Sequence, residues 1–159
     1  MATGLSRLAR RHFAGALFVL ALSAAGAAEA SGAQDAIDAR HLHFKAMGAD
    51  FKAVNEMLRS GTATTVAVLP KIHDVQSAAR QLHSWFPTGS GPDSGLKTHA
   101  KTNVWSDPAA FRDADAALAA QLDKLEQIAA KGDMTAAAEQ ARTAGQACGA
   151  CHAKFRQKD

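Results

Sequence analysis

Residues 37–58 of the sequence read IDARHLHFKAMGADFKAVNEML. Within this stretch, one set of positions recurs at alternating steps of three and four residues, and all but one of them are apolar. The positions are Ile37, Arg40, Phe44, Met47, Phe51, Val54 and Leu58. This spacing puts the whole set on one face of an α-helix and is typical of the seam of a helical bundle. The stretch therefore predicts a long first helix, which we place at about 35–59.

Three further helices are predicted downstream, and no segment alternates as a strand would. They cover about 64–85, 107–132 and 133–155. A proline at position 70 either kinks the second helix or lies close to its start. Asp107-Pro108 provides an N-cap and a first-turn proline for the third helix, and Gly132-Asp133 ends that helix and caps the fourth. Two short links and one longer link, at 86–95, predict an all-α antiparallel four-helix bundle of the up-down-up-down type.

The fourth helix carries the strongest chemical signal, Cys148-Gly149-Ala150-Cys151-His152. On a helix the two cysteines and the histidine project from one face. Cys-x-x-Cys-His is the pattern of covalent haem attachment, in which the thiols add to vinyl groups and the imidazole binds iron. A zinc site would need two further ligands, and a redox dithiol would need a βαβ setting. We predict one haem c per chain, attached to Cys148 and Cys151, with His152 as an axial iron ligand.

Two residues of the first helix are candidates for the haem pocket. Arg40 is a cation on the inward face, where it needs a partner; a haem propionate is predicted, and a protein carboxylate is the alternative. Phe44, one turn further on, would then face the iron opposite the axial histidine, although an ordinary core phenylalanine fits the same pattern. Met47 lies on the same stripe and could be core or a ligand. His41 and His43 lie at its margins and are expected at the rim or the surface.

The first thirty residues have the features of a secretory signal peptide. Three arginines precede an apolar run at 13–22, and small residues follow it. Ten apolar residues are too few to span a bilayer. We expect residues 1–30 to be cleaved after Ala28 or Ala30, leaving an exported haem domain at 31–159. An arginine pair leaves the twin-arginine route as an alternative to general secretion.

The charge balance does not favour a nucleic-acid partner. The sequence has 18 basic and 15 acidic residues. Cleavage after Ala30 leaves 15 basic against 14 acidic residues, a net charge of +1. This balance gives no support to nucleic-acid binding.

With these motifs the chain resembles cytochrome c′, a family of the class II cytochromes c. The resemblance covers residues 34–159 and rests on motifs in the first and fourth helices, in the longer loop and just before the third and fourth helices. They are Arg40-x-x-x-Phe44-Lys45-x-x-Gly48, Phe86-Pro87-x-Gly89-Ser90-Gly91, Val104-Trp105-x-Asp107, Gly132-Asp133 and Cys148-x-x-Cys151-His152-x-x-Phe155-Arg156. It implies a periplasmic haem protein, commonly a homodimer, with iron held by one histidine and able to bind nitric oxide and carbon monoxide. Phe44 stands where low-spin relatives have a methionine ligand, and His41 stands where a glutamine is usual.

The motifs and the resemblance are compatible with two functions. The first is a gas-binding protein with five-coordinate high-spin iron, which captures or carries nitric oxide. The second is an electron carrier to a periplasmic redox partner, including a low-spin, six-coordinate form. We place gas binding first, because five-coordinate iron changes its ligation more readily, which should slow electron exchange. We do not expect an enzyme, since peroxide cleavage is helped by a general acid–base over the iron and Phe44 supplies none.

A second small apolar face on the first helix predicts a homodimer. It consists of Leu42, Ala46, Ala49 and Ala53. Small residues at this spacing let a second helix approach closely. The alternative is that the alanines simply favour an exposed helix.

Overall fold

The computed structural model describes residues 14–158, with the side chains of residues 31–158. This part of the chain contains four long helices, one short helix and two 3₁₀ segments, and its only β-type pairing is an isolated bridge between Ala100 and Arg156. The helices are α1 (Ala14–Ser60), α2 (Thr65–Gln81), α3 (Asn103–Ser106), α4 (Pro108–Ala130) and α5 (Met134–Phe155). The all-α prediction is confirmed.

The first helix is longer than predicted. It begins at Ala14 rather than near residue 35, because the intervening residues are rich in alanine and leucine, which favour a helix. It ends at Ser60, next to the predicted end, and Gly61 follows with a φ of 71°. The arginines of the predicted signal peptide and Asp159 lie outside the described residues. No helix in the described residues is both long and apolar enough to cross a bilayer.

The starts of the other three long helices are fixed by side-chain caps. The capping oxygens belong to Thr64, Asp107 and Asp133, and each accepts a hydrogen bond from the backbone N–H three residues later. Such a cap satisfies one of the N–H groups that a helix start leaves without a partner. The caps at Asp107 and Asp133 confirm the predicted boundaries.

The second helix continues through Pro70 and starts five residues before it. The α-helix ends at Gln81, and the last four residues of the predicted helix, Leu82–Trp85, tighten into a 3₁₀ segment. This tightening brings the Trp85 carbonyl to the Arg40 side chain. The second helix therefore differs from the prediction in the four residues whose last member contacts the first helix.

The four long helices form a ring in which α1 packs on α2 and α5, and α4 packs on the same two helices. The predicted seam of α1 faces inward, because most of its apolar positions are buried and Phe44 and Phe51 are half-buried. Aliphatic side chains such as Val54, Val68 and Leu125 fill the end nearest the two short turns. The opposite end of the bundle is left for a cavity.

Candidate functional site

This opposite end holds a cavity of about 670 Å³. All four long helices contribute to its wall, together with the short segment 98–100. The wall is largely apolar, with basic side chains at the rim. Cavities of roughly 300–1,000 Å³ with few polar groups are the usual binding places for small-molecule cofactors.

Helix α5 presents Cys148, Cys151 and His152 to this cavity, as their spacing predicts. Both cysteines are free thiols and half-buried. Burial raises the pKa of Cys148, and burial with the nearby Cys148 and Asp115 raises the pKa of Cys151 to about 11. Burial, and then the Arg156 charge, lower the pKa of His152. The site thus offers two thiols and an imidazole, and the neutral imidazole is the form that binds a metal ion.

These groups fit a covalently attached haem. Two thiols and an imidazole on one helix face border an apolar cavity of cofactor size. The zinc alternative lacks its further ligands, since the described residues contain no group of three or more metal-binding side chains. When bound, the haem supplies an iron that can take a ligand from each of its two faces.

Phe44 and His152 both line the cavity, and their rings are close to each other. The two ring centroids are 6.4 Å apart, and the ring planes meet at 73°. Phe44 also packs edge-on against Trp85 and Phe86, at 5.1 and 6.1 Å. The aromatic neighbours fix the orientation of the phenyl ring, and its role toward iron stays a prediction.

The other candidate iron ligands differ in position. His43 does not line this cavity; it stacks on Trp85 with the centroids 4.8 Å apart and lines a second cavity of about 290 Å³. His41 is exposed at the rim, with its ring 5.7 Å from that of His99. Met47 is buried in the wall. His41 and His43 are therefore rim and surface residues, as the helix geometry predicts.

Arg40 is 4% exposed and donates four hydrogen bonds to neutral oxygens. The acceptors are Trp85 O (3.2 Å), Ser90 Oγ (3.1 Å), Ser90 O (3.1 Å) and Thr98 Oγ1 (2.8 Å). Its guanidinium also lies 4.6 Å from the Phe86 ring centroid, and burial lowers the pKa of Arg40. No protein carboxylate is among its partners in the described part of the chain. A propionate at the cavity edge would supply the missing negative charge, and this contact stays a prediction.

Replacing Arg40 with Leu is expected to lower both the haem reduction potential and the stability of the fold. Loss of a cation beside the haem favours the ferric state, and loss of the donor leaves buried acceptors without partners. We expect the free energy of unfolding to fall by about 2–4 kcal/mol. Redox titration from pH 5 to 9 and chemical denaturation measure the two effects.

Arg40→Lys is the matched control for this prediction. It keeps the positive charge but cannot reproduce the four directed hydrogen bonds of the guanidinium. The lysine variant should therefore lose stability while its potential stays near that of the wild type. A potential that is unchanged in Arg40→Leu across the pH range would show that Arg40 serves only to hold the loop.

The segment that carries Thr98, His99 and Ala100 was not predicted as part of the site. It is held against the C-terminal end of the chain by Lys101 N to Phe155 O (2.9 Å) and Gln157 N to His99 O (2.7 Å). These backbone bonds close one side of the cavity. No spacing in the sequence indicates them, because the paired segments are more than fifty residues apart.

Comparison with known proteins bears on this arrangement. Residues 35–156 match the family model described as Cytochrome C'. Cytochrome c′ from Rubrivivax gelatinosus is 41% identical over 70 residues, which is 44% of this chain and 54% of the relative, so this match spans about half of the relative's length. The crystal structure of cytochrome c′ from the same organism has a TM-score of 0.68 and 32% identity, covering 77% of this chain and 95% of that one.

A more distant structural relative is the nitric oxide complex of a cytochrome c prime variant from Alcaligenes xylosoxidans. It has a TM-score of 0.71 and 22% identity, covering 80% of this chain and 97% of that one. At this identity the likeness shows the fold alone. The predicted four-helix bundle is confirmed, and the family match includes the helix with both cysteines. The chain belongs to the cytochrome c′ family, and its cofactor is a covalently bound haem c.

Proposed function

We propose that this haem protein binds nitric oxide and carbon monoxide at a five-coordinate, high-spin iron. The observation that carries the proposal is the position of Phe44, which lines the haem cavity with its ring centroid 6.4 Å from that of His152. If His152 holds the iron on one side, the residue on the other side is a phenyl ring, which cannot ligate. A diatomic ligand can then bind to the iron when the phenyl ring moves aside. The nitric oxide complex of the Alcaligenes xylosoxidans relative supports this proposal.

The surroundings of Phe44 also favour some gases over others. The aromatic rings in contact with Phe44 are those of Trp85, Phe86 and His152. The phenyl ring of Phe44 has no hydrogen-bond donor to offer a bound ligand. Bound dioxygen carries partial negative charge and benefits from a distal donor, whereas nitric oxide and carbon monoxide depend on one much less. We therefore expect nitric oxide binding, weaker carbon monoxide binding and no stable dioxygen adduct.

Optical and EPR spectra of the purified ferric protein test this proposal, followed by titration of the ferrous protein with nitric oxide and carbon monoxide. A high-spin ferric spectrum with gas binding supports it. A low-spin ferric spectrum at neutral pH would contradict it and would favour a six-coordinate electron carrier. Met47 is then the first ligand to replace, since it is buried in the cavity wall.

We also infer that the protein is not an enzyme. Peroxide cleavage would be helped by a general acid–base on the face of the haem opposite His152. Phe44 occupies that direction, and the neighbouring wall contains Phe51, Met47 and Val75, which do not transfer protons. Peroxidase turnover of the purified protein near the rate of free haem is the expected result.

We propose that the protein is exported to the periplasm after loss of residues 1–30. The support lies in the charged start, the ten-residue apolar run and the small residues at 28–30. Mass spectrometry of the periplasmic fraction should give a chain that begins at residue 29 or 31. A cytoplasmic chain with its first thirty residues intact would contradict export.

A homodimer through α1 is a further part of the proposal. Leu42 is 67% exposed, and Ala46 and Ala49 beside it are exposed as well. Leu42→Glu should raise the dimer dissociation constant at least about tenfold, because it places a charge in an apolar helix interface. Sedimentation equilibrium measures this effect. Val66→Glu, at another exposed apolar side chain on α2, is the matched control; a wild-type monomer at high micromolar concentration would contradict the dimer.

A further inference from the structure

Two histidines from distant parts of the chain meet at the rim of the haem cavity. His41 lies on α1 and His99 lies in the segment 98–100, and both line the cavity. Their ring centroids are 5.7 Å apart, and the ring planes are tilted by 32°. His41 is exposed and His99 is half-buried. The pair is therefore accessible to solutes from the surrounding solvent.

The spacing of the two rings is close to that of two imidazoles on one metal ion. Zinc–nitrogen bonds are about 2.0–2.1 Å long, so two imidazoles on a tetrahedral zinc ion have ring centroids roughly 5 Å apart. The observed separation is slightly larger, and a small rotation of the exposed His41 side chain closes the difference. Imidazole is also the commonest metal ligand among protein side chains. The pair can therefore supply two ligands to one ion.

Both histidines are carried by backbone that is held in place. His41 lies within a long helix, and the His99 carbonyl accepts a hydrogen bond from Gln157 N at 2.7 Å. The residues that precede the two histidines are joined as well, since Arg40 donates to Thr98 Oγ1 at 2.8 Å. A site built on fixed elements loses little conformational freedom when it binds.

His99 has a further interaction besides these contacts. Such an interaction is compatible with metal binding, because a metal ion takes one ring nitrogen and the other ring nitrogen usually donates a hydrogen bond. The second contact of a metal-binding histidine fixes the orientation of its ring. An additional partner of His99 therefore leaves its role as a ligand open.

A zinc ion at this pair needs further ligands, because zinc in proteins is usually four-coordinate. The described residues that line the cavity include no aspartate or glutamate. Water and a haem propionate remain as oxygen ligands, and zinc accepts carboxylate oxygen. The propionate predicted at Arg40 would lie beside the pair, because His41 follows Arg40 directly and His99 follows its partner Thr98.

Cationic side chains near the pair limit the affinity for a divalent ion. Arg40, Lys45 and Arg156 line the same cavity and repel it. Lys45 and Arg156 are exposed, so that water and salt screen their charges, and two haem propionates offset part of the total. We therefore expect a dissociation constant on the order of 1–10 μM, which is weaker than that of a structural zinc site.

We propose that His41 and His99 bind a zinc ion at the rim of the haem cavity. One ring nitrogen of each histidine holds the ion, and water or a propionate completes its coordination. Zinc has no redox chemistry of its own, but its positive charge beside the haem stabilises the ferrous state, which carries one positive charge less than the ferric state. The site thus makes the haem reduction potential depend on zinc. This role is separate from gas binding and requires only that the haem occupies the cavity.

Isothermal titration calorimetry of the untagged holoprotein with zinc sulfate tests the site. The wild type should bind one zinc ion per chain at the pair, and magnesium chloride should give no binding, because Mg²⁺ prefers oxygen ligands. In His41→Gln/His99→Gln the zinc affinity should fall at least about tenfold. The haem absorption spectrum of this variant should match that of the wild type, since both substitutions are at the rim.

His73→Gln is the matched control. His73 is another exposed histidine, and it pairs with Glu126 at a cluster on α2 and α4 that also includes Gln76 and Asp123. This cluster is the competing place for a metal ion, because it combines an imidazole with two carboxylates. Zinc affinity that is unchanged in His73→Gln supports the rim site. Affinity that is lost in His73→Gln and kept in His41→Gln/His99→Gln would overturn it.

The haem reduction potential then reports where the ion binds. Saturating zinc should raise the potential of the wild type and of His73→Gln but not that of His41→Gln/His99→Gln. By linkage, the ferrous protein should bind zinc more tightly than the ferric protein, on the order of threefold, which corresponds to about 30 mV. An ion more than a Debye length from the haem, about 10 Å in 0.1 M salt, would shift the potential little.

Three results would overturn the rim site. They are a wild type that does not bind zinc at 100-fold excess, equal zinc affinities in the wild type and His41→Gln/His99→Gln, and zinc binding without a change in the wild-type potential. Nitric oxide titration of the same proteins tests the proposed function separately. A wild type that binds no gas would refute that function and leave the zinc result unaffected.

Discussion

The Cys148→Ala/Cys151→Ala protein is expected to lose all covalently held haem. Acid–acetone extraction should leave the colour with the wild-type protein and remove it from the double variant. The reason is that both thiols border the same cavity and provide the thioether bonds, while the His152–iron bond alone does not survive acid. Mass spectrometry of the denatured chains, which shows haem as an added mass, measures the same loss directly.

The single variants Cys148→Ala and Cys151→Ala keep this prediction testable if the double variant folds poorly. Each retains one thiol at the cavity and should keep one thioether bond, so its denatured mass should still include the haem. Haem lost from the wild-type protein on extraction would contradict covalent attachment. Haem retained by the double variant would show that another side chain holds it.

The long helices could be predicted because their signals are local. The seam in residues 37–58 and the capping aspartates at 107 and 133 act within one or two helical turns, and the structure confirms them. The predicted start of α1, near residue 35, differs from the start at Ala14 in the structure, because the alanines of the preceding segment continue the helix. Propensity alone does not mark a boundary between two helical segments.

Part of the site could be predicted, because its signals are also local to single helices. The cysteines, His152 and Phe44 follow from spacing on single helices, and the structure places all of them around one cavity. The partners of Arg40 could not be predicted, because Trp85, Ser90 and Thr98 lie 45 to 58 residues away in an irregular loop. Their contacts depend on how the loop folds over the end of the bundle, and no periodicity encodes that.

Phe44→Ala is expected to open the sixth coordination position. The phenyl ring packs on Trp85 and Phe86, and a ligand that enters must displace it from these contacts. Without the ring, carbon monoxide affinity should rise on the order of tenfold, which corresponds to about 1.4 kcal/mol. The truncation should also lower the free energy of unfolding, by about 3 kcal/mol for a half-buried phenylalanine. Carbon monoxide titration of the ferrous protein and chemical denaturation measure the two effects.

Phe44→Met is expected to have the larger spectroscopic effect. A methionine at this position would place its thioether sulfur where the phenyl ring now lies beside His152, and sulfur can ligate haem iron. The haem should convert from a five-coordinate, high-spin form to a six-coordinate, low-spin form with a higher reduction potential and weaker gas binding. Phe44→Leu is the matched control, since leucine has a similar volume but no donor atom, and it should stay high-spin. A wild-type protein that is already low-spin, or a Phe44→Met protein with an unchanged spectrum, would show that Phe44 does not face the iron; Met47→Leu would then test whether the buried thioether in the wall is the ligand.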